Sequence, residues 1–351
     1  MSGPLGRRGL ALLAVSAAAL AVGSATPAAS PQRLDHLSFA GLGQGRGGVH
    51  SRVLTHANRR LASFPSTAWG GVYTTKSGAR VTVYSSSAYP VDQAANQSAA
   101  DFVDGLVHGP EIATAKLYFA PAWEVGRMCG STEADGCYTP SSGEIVSIGE
   151  DSQWSTVEEV VAHEYGHHVA ANRANTPWSA IAWGTKRWAT YEGICAKTAT
   201  GKAFPGDEGD HYFQNPGESF AESFMHLNEV KRGVPETPWI YDPMFTPDAK
   251  ALELIEQDVL QPWTTYSLQH WSGKFSRRGQ QGATTLATPL DGVVAVQLKG
   301  PRGSSLRLTG APHVKKASKT LAGGTICGQR SITTRVTAGR AGRFSVTAAT
   351  P

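Results

Sequence analysis

The sequence predicts an α+β fold, in which a mixed sheet with several helices is followed by a smaller all-β module. Two observations carry this. Strand-like and helix-like periods interleave from about residue 66 to 263, and helical periods vanish from about Thr264. The charge balance shifts at the same place. Residues 264–351 hold 13 of the 32 Lys and Arg but only one of the 28 acids, Asp291, so a basic tail follows an acidic main portion. At 351 residues the chain is long enough for a large core and two domains.

Residues 1–29 read as a secretory signal peptide. Arg7 and Arg8 form a positive n-region, 9-GLALLAVSAAALAVG-23 is a short apolar run, and small residues follow, with cleavage sites after Ala25 or Ala29. The residues around Arg7-Arg8 match a twin-arginine signal poorly. The run is too short for a membrane span and no other segment is long and apolar enough, so the mature protein is expected to be secreted and extracellular. Four cysteines agree with an oxidising compartment. They allow three pairings, of which Cys129–Cys137 with Cys195–Cys327 is favoured, because the first two are close in sequence and the others would be left. No CxxC pair marks them as zinc ligands.

Residues 30–65, rich in Gly, Arg, Ser and His without a period, read as a linker or short pro-segment. The stretch 70–89 holds two strands around a Lys-Ser-Gly turn, and 91–109 has helical spacing with Gly109 as a stop. Strands are expected at 116–121 and 143–150, on either side of the 129–137 cysteine loop. A helix from about Val157 to Arg173 is signalled by two candidate capping boxes, Ser155-x-x-Glu158 and Thr156-x-x-Glu159. A tryptophan-bearing loop (Trp178, Trp183, Trp188) leads to a helix over 215–233, with Asn215 as N-cap, Pro216 at the first position and Gly233 at the end. A helix over 247–260 closes this domain, assigned to 66–263. Short alternating runs at 292–300, 304–310, 330–337 and 343–349 then read as a basic β-sandwich domain over 264–351.

The chemistry lies in 163-HEYGH-167. Positions i and i+4 of a helix face the same way, so His163 and His167 can reach one zinc ion (Zn2+). Glu164 sits about 100° round the helix, placed to act as base on a metal-bound water rather than as a ligand. An extended HExxHxxGxxH motif cannot supply the third ligand, since Ala170 and Arg173 stand where it needs a glycine and a histidine. Nor does an aspartate follow Gly184-Thr185. Glu218 and Glu222, again i and i+4, remain: Glu218 would complete the set and Glu222 would hold a ligand histidine through its outer nitrogen. The rival role for Glu218 is capping its own helix from Asn215-x-x-Glu218. His168, on the row of Glu164, is expected to pack or act behind the ligands.

HEYGHH followed by NPGESFAESF resembles the gluzincin metallopeptidases, and its E-x-F-A-E-x-F form is similar to the anthrax lethal factor-like branch of secreted bacterial enzymes. The resemblance implies a zincin-like metallopeptidase domain with His163, His167 and Glu218 on zinc and Glu164 as general base. It also implies that the strand 143–148 is the edge strand that pairs with extended substrate. That branch carries an oxyanion-stabilising tyrosine seven residues before the ligand Glu. Here His211 stands there and Tyr212 is one residue later, and both remain open. The expected activity is endopeptidase action on a protein or peptide substrate. The alternative is a non-catalytic extracellular surface-binding protein with a zinc-stabilised peptidase-like domain. The basic module, loosely similar to β-sandwich modules at the C-termini of secreted peptidases, suits an anionic cell-wall polymer or glycan. Its lack of interleaved aromatics speaks against nucleic acid.

Overall fold

Two strands open the main sheet where alternation places them. β1 (Trp69–Thr74) and β2 (Arg80–Ser85) pair antiparallel from Trp69–Ser85 to Thr74–Arg80. The tight turn between them closes on Gly78 at φ +90°. This is a computed structural model, and it describes residues 32–35, 37–55, 64–310 and 314–351. The expected signal peptide lies outside the described residues.

α1 (Gln93–Asp104) starts at Asp92, whose carboxylate accepts from the amides of Ala94 and Ala95. β3 (Lys116–Ala120), α2 (Ala122–Cys129), β4 (Gly136–Thr139) and β5 (Glu144–Ile148) complete the first half. The sheet order is β1-β2-β3-β5-β4, with β2, β3 and β5 parallel and the two outer strands antiparallel to their neighbours. This corrects one expectation. β5, the 143–148 strand, is interior between β3 and β4, and the edge strand on that side is β4. β4 begins within the cysteine loop and runs two residues past it.

α3 (Val157–Ala171) follows, then a small hairpin of β6 (Ala174–Asn175) and β7 (Trp178–Ser179). The tryptophan stretch, expected as loop, is a series of short helices: α4 (Ala180–Trp183), α5 (Lys186–Tyr191) and α6 (Ile194–Ala199). Four to six residues are too few for a helical period to show in sequence. α7 (Pro216–Arg232) and α8 (Ala249–Leu260) come where capping residues put them.

The tail is all strand: β8 (Ser267–Phe275), β9 (Gln281–Ala287), β10 (Gly292–Lys299), β11 (Ser305–Thr309), β12 (Lys315–Lys316), β13 (Leu321–Ile326), β14 (Ser331–Thr337) and β15 (Gly342–Thr350). They form two antiparallel sheets, β12-β13-β10-β15-β8 and β11-β14-β9, around their own apolar cluster, which includes Val296, Leu306, Ile332 and Val346. Residues 32–351 nevertheless form one compact unit. Both favoured disulfides are formed, and Cys195–Cys327 ties α6 to the end of β13. Asp291, the tail's single acid, is fixed by Arg330 at 2.7 Å, and its amide donates to Thr190 Oγ1 at 3.1 Å. Among the described residues no helix is long and apolar enough to cross a membrane.

The linker expectation for residues 30–65 fails for its described part. Leu34, Leu37, Leu42, Val49 and Leu54 all belong to the main core. The glycines there serve close packing rather than flexibility. A Cβ on Gly41 would stand 2.4 Å from Glu158 Oε2, and one on Gly45 would stand 2.2 Å from Glu159 Oε2.

Candidate metal centre

α3 is buried on almost every face from Val157 to Ala170, which its run of Val, Ala, Tyr and Gly permits. Of the two candidate boxes, Thr156 and Glu159 form the one that closes: Thr156 Oγ1 accepts from the Glu159 amide at 3.3 Å, and Glu159 Oε2 from the Thr156 amide at 2.8 Å. α7 is capped by Asn215, whose side chain accepts from the Gly217 amide at 3.0 Å. Glu218 is therefore not needed as a cap. The two helices touch at Gly166, where a Cβ would meet Ala221 Cα at 2.9 Å. That contact lets a glutamate on α7 reach histidines on α3.

The structure brings His163, His167 and Glu218 together. One ligand atom from each lies within 4.8 Å of the others, and all three residues are fully buried. His163 Nε2 is 3.3 Å from Glu218 Oε2, and His167 Nε2 is 3.3 Å from Oε1 of the same carboxylate. Glu222, one turn on, sits 2.9 Å from His163 Nδ1. A carboxylate there holds the ring proton on Nδ1, which turns the Nε2 lone pair toward another carboxylate. Two acceptors facing each other call for a cation or a proton between them. His167 has no hydrogen-bond partner on either ring nitrogen, and Glu218 Oε1 has none. Two imidazoles and a carboxylate converging on one point are a donor set suited to zinc.

Electrostatics carry the same mark. Burial lowers His163 most strongly, yet hydrogen bonds and charge from Glu218 and Glu222 outweigh it and push its pKa up to about 10. His167, dominated by burial, moves down. Burial raises Glu218, but the two histidines draw it well below the usual carboxylate range.

Glu164 faces this cluster without joining it. Its Oε1 accepts from Ser51 Oγ at 2.6 Å, and its Oε2 has no partner. Burial pushes it up to about 8, with His163 and Ser51 pulling down and Glu218 and Asp135 pushing up. A carboxyl in that range can both take and give a proton near neutrality.

Of the two oxyanion candidates, Tyr212 is at the site and His211 is not. Tyr212 OH lies 3.2 Å from Glu218 Oε2 and 3.1 Å from Tyr241 OH. His211 stacks on Phe204 at 3.7 Å and pairs with Asp207. Burial, then the charge of Glu218, keeps the Tyr212 hydroxyl protonated well above its ordinary value. Tyr241 and Ser51 were not anticipated; neither lies in a motif or a periodic segment. His168 is outside the cluster, with Nδ1 3.1 Å from Tyr138 OH and Nε2 2.9 Å from the Glu111 carbonyl.

A second feature lies in the tail. Arg307, Arg335, Lys315 and Lys316 line a cavity of about 570 Å³ with Leu306, Leu308 and Val314. Arg307 and Arg335 are directly opposite each other on β11 and β14.

No family model matches this chain, and no curated protein or solved structure matches it.

Proposed function

We propose that this chain is a secreted zinc-dependent endopeptidase of the gluzincin type, built on a zincin-like domain. The carrying observation is that two imidazole Nε2 atoms converge on one glutamate carboxylate, with Glu222 behind His163 and Glu164 beside the cluster. His163, His167 and Glu218 would hold zinc. When bound, the ion would polarise a peptide carbonyl and bring a water's pKa toward about 7. Glu164 takes the proton of the attacking water and hands it to the leaving amine. Tyr212 and Tyr241, both neutral donors beside Glu218, meet the developing oxyanion. An extended polypeptide would pair with the outer backbone edge of β4, where residues 50–54 of the chain itself now lie.

A structural metal site uses four protein ligands, whereas three with a further, non-ligating carboxylate beside them suit a catalytic site that keeps one coordination position for water or substrate. That favours the enzyme over a non-catalytic surface-binding protein. The basic tail is proposed to attach the enzyme to an anionic cell-wall polymer or glycan through the Arg307–Arg335 cavity.

The test is a peptide-library digest by the purified, metal-assayed protein, as isolated and after brief trypsin treatment, with and without a chelator. Chelator-sensitive cleavage is expected. A zinc-loaded protein that cleaves nothing in either state would sink the hydrolase reading.

A further inference from the structure

His163, Glu164, His167 and Glu218 are all 0% exposed, so no polypeptide can reach them unless something moves. Tyr138 and Tyr241 stack beside His167 and His163, and over Glu164 comes the chain's own segment from Val49 to Leu54. Its polar groups are bonded to the groups the proposed chemistry needs. Ser51 Oγ donates to Glu164 at 2.6 Å, where a water handed to the base would have to bind. The Ser51 amide donates to Tyr212 OH at 3.0 Å. The Val49 carbonyl accepts from Tyr241 OH at 3.3 Å.

The same residues run along the open edge of β4. The Asp135 amide donates to the His50 carbonyl at 2.8 Å, the Tyr138 amide to the Arg52 carbonyl at 3.0 Å, and the Leu54 amide to the Tyr138 carbonyl at 2.8 Å. Val53 and Tyr138 form a parallel bridge. These alternate bonds are those of a strand added to a sheet edge. Two cavities, about 360 and 520 Å³, flank the segment, and His50 and Glu133 line both. Ser51, which bonds the base, and Tyr212 line the smaller of the two.

Upstream, glycines seat it. Gly43 and Gly48 have φ of +78° and +72°, and a Cβ on Gly43 would stand 1.9 Å from the Pro235 carbonyl oxygen. The Gly45 amide donates to Glu159 on α3 at 2.6 Å.

We infer that residues 37–54 are an intramolecular plug: they occupy the groove of an extended peptide substrate and keep the enzyme latent until they are displaced or cut. The inference rests on the hydrolase reading, since latency presupposes an activity. It also accounts for a base that is wholly enclosed, which a fixed wall would leave permanently useless to a polypeptide.

The test compares the zinc-loaded full chain with Ser51→Ala and Gly48→Val. The first removes one hydroxyl. In the second a Cβ meets the Ile240 side chain at 2.8 Å in a left-handed backbone. Two readouts are taken: the rate at which dipicolinate extracts zinc, and the rate of peptide cleavage. Extraction at least tenfold faster in Gly48→Val, and severalfold faster in Ser51→Ala, is expected, with peptide cleavage rising in parallel. A synthetic peptide of residues 45–54 should then slow cleavage by the loosened protein. Equal extraction and equal cleavage in wild type and both variants would overturn the plug. Faster extraction without any cleavage would show that the segment covers the metal centre but would sink the hydrolase, and latency with it. If Gly48→Val fails to fold, Ser51→Ala decides the matter alone.

Discussion

Ser51 Oγ stands 2.6 Å from Glu164 Oε1, inside the protein, across 113 residues of sequence. A serine from a glycine-rich N-terminal segment is thus the direct partner of the carboxylate proposed as the base. Both residues are buried, so the bond is made in a medium where an unpaired carboxylate is costly. The proposed base and the segment over it therefore behave as one unit, and loosening either should be felt by the other.

Glu164→Gln keeps the size of the side chain and removes its ability to take a proton. The variant should bind zinc as the parent does, by atomic absorption, because Glu164 is not in the ligand set. Peptide hydrolysis by the unplugged protein should fall by about 10²–10⁴-fold, the usual contribution of a positioned general base. A variant that cleaves as fast as its parent would remove Glu164 from the mechanism.

Glu218→Ala and Glu222→Ala separate the proposed third ligand from the residue proposed to hold a ligand histidine. Loss of Glu218 should leave the purified protein with little zinc. Loss of Glu222, 2.9 Å from His163 Nδ1, should weaken zinc affinity by roughly 10–100-fold without abolishing it. Competition with a chromogenic chelator measures both. Unchanged metal content in Glu218→Ala would put the third ligand elsewhere.

The centre was legible in sequence because its parts lie on helices with strong local signals. His163 and His167, like Glu218 and Glu222, are four residues apart, and the caps Thr156 and Asn215 fix where each helix starts. Tyr241 and Ser51 were not legible, because each reaches the site from irregular backbone and only tertiary packing brings it there. Strand order is also a tertiary property. β4 is four residues, GCYT, straddling the end of the disulfide loop, so nothing local shows that 143–148 lies inside the sheet rather than at its edge. The glycines of 41–48 misled for another reason. Glycine serves a solvated linker and a close backbone approach equally well, and only the positions of Glu158, Glu159 and Pro235 distinguish them.

Arg307 and Arg335 oppose each other across β11 and β14, a pairing that costs stability unless an anion lies between or near them. The tail's single acid is already engaged by Arg330. Replacing both arginines with Ser should lower the salt concentration at which the protein leaves a polyuronate column. It should also leave thermal stability unchanged or raise it by about 0.2–1 kcal/mol. Unaltered retention would mean that this cavity is not where a polyanion binds.

Glu229 gives a pH dependence whose sign is fixed by its surroundings. Its side chain is fully buried, and the Thr237 hydroxyl lies 2.6 Å from its Oε1 and 2.8 Å from Glu159 Oε1. One hydroxyl hydrogen cannot serve both carboxylates at once. Burial pushes Glu229 up to about 8, opposed by hydrogen bonds from Thr237 and reinforced by the charges of Glu222 and Glu159. An unfolded chain releases this proton near the ordinary value of 4.5, so the folded form binds it more tightly. The stabilisation is therefore complete below about pH 4.5 and is lost as pH rises through about 8, on the order of a few kcal/mol in all. Glu229→Gln keeps an acceptor for Thr237 and never ionises. Melting temperatures of parent and variant should be close at pH 5 and diverge by pH 8.5, with the variant the more stable. Parallel curves across that range would show that Glu229 is already ionised in the fold.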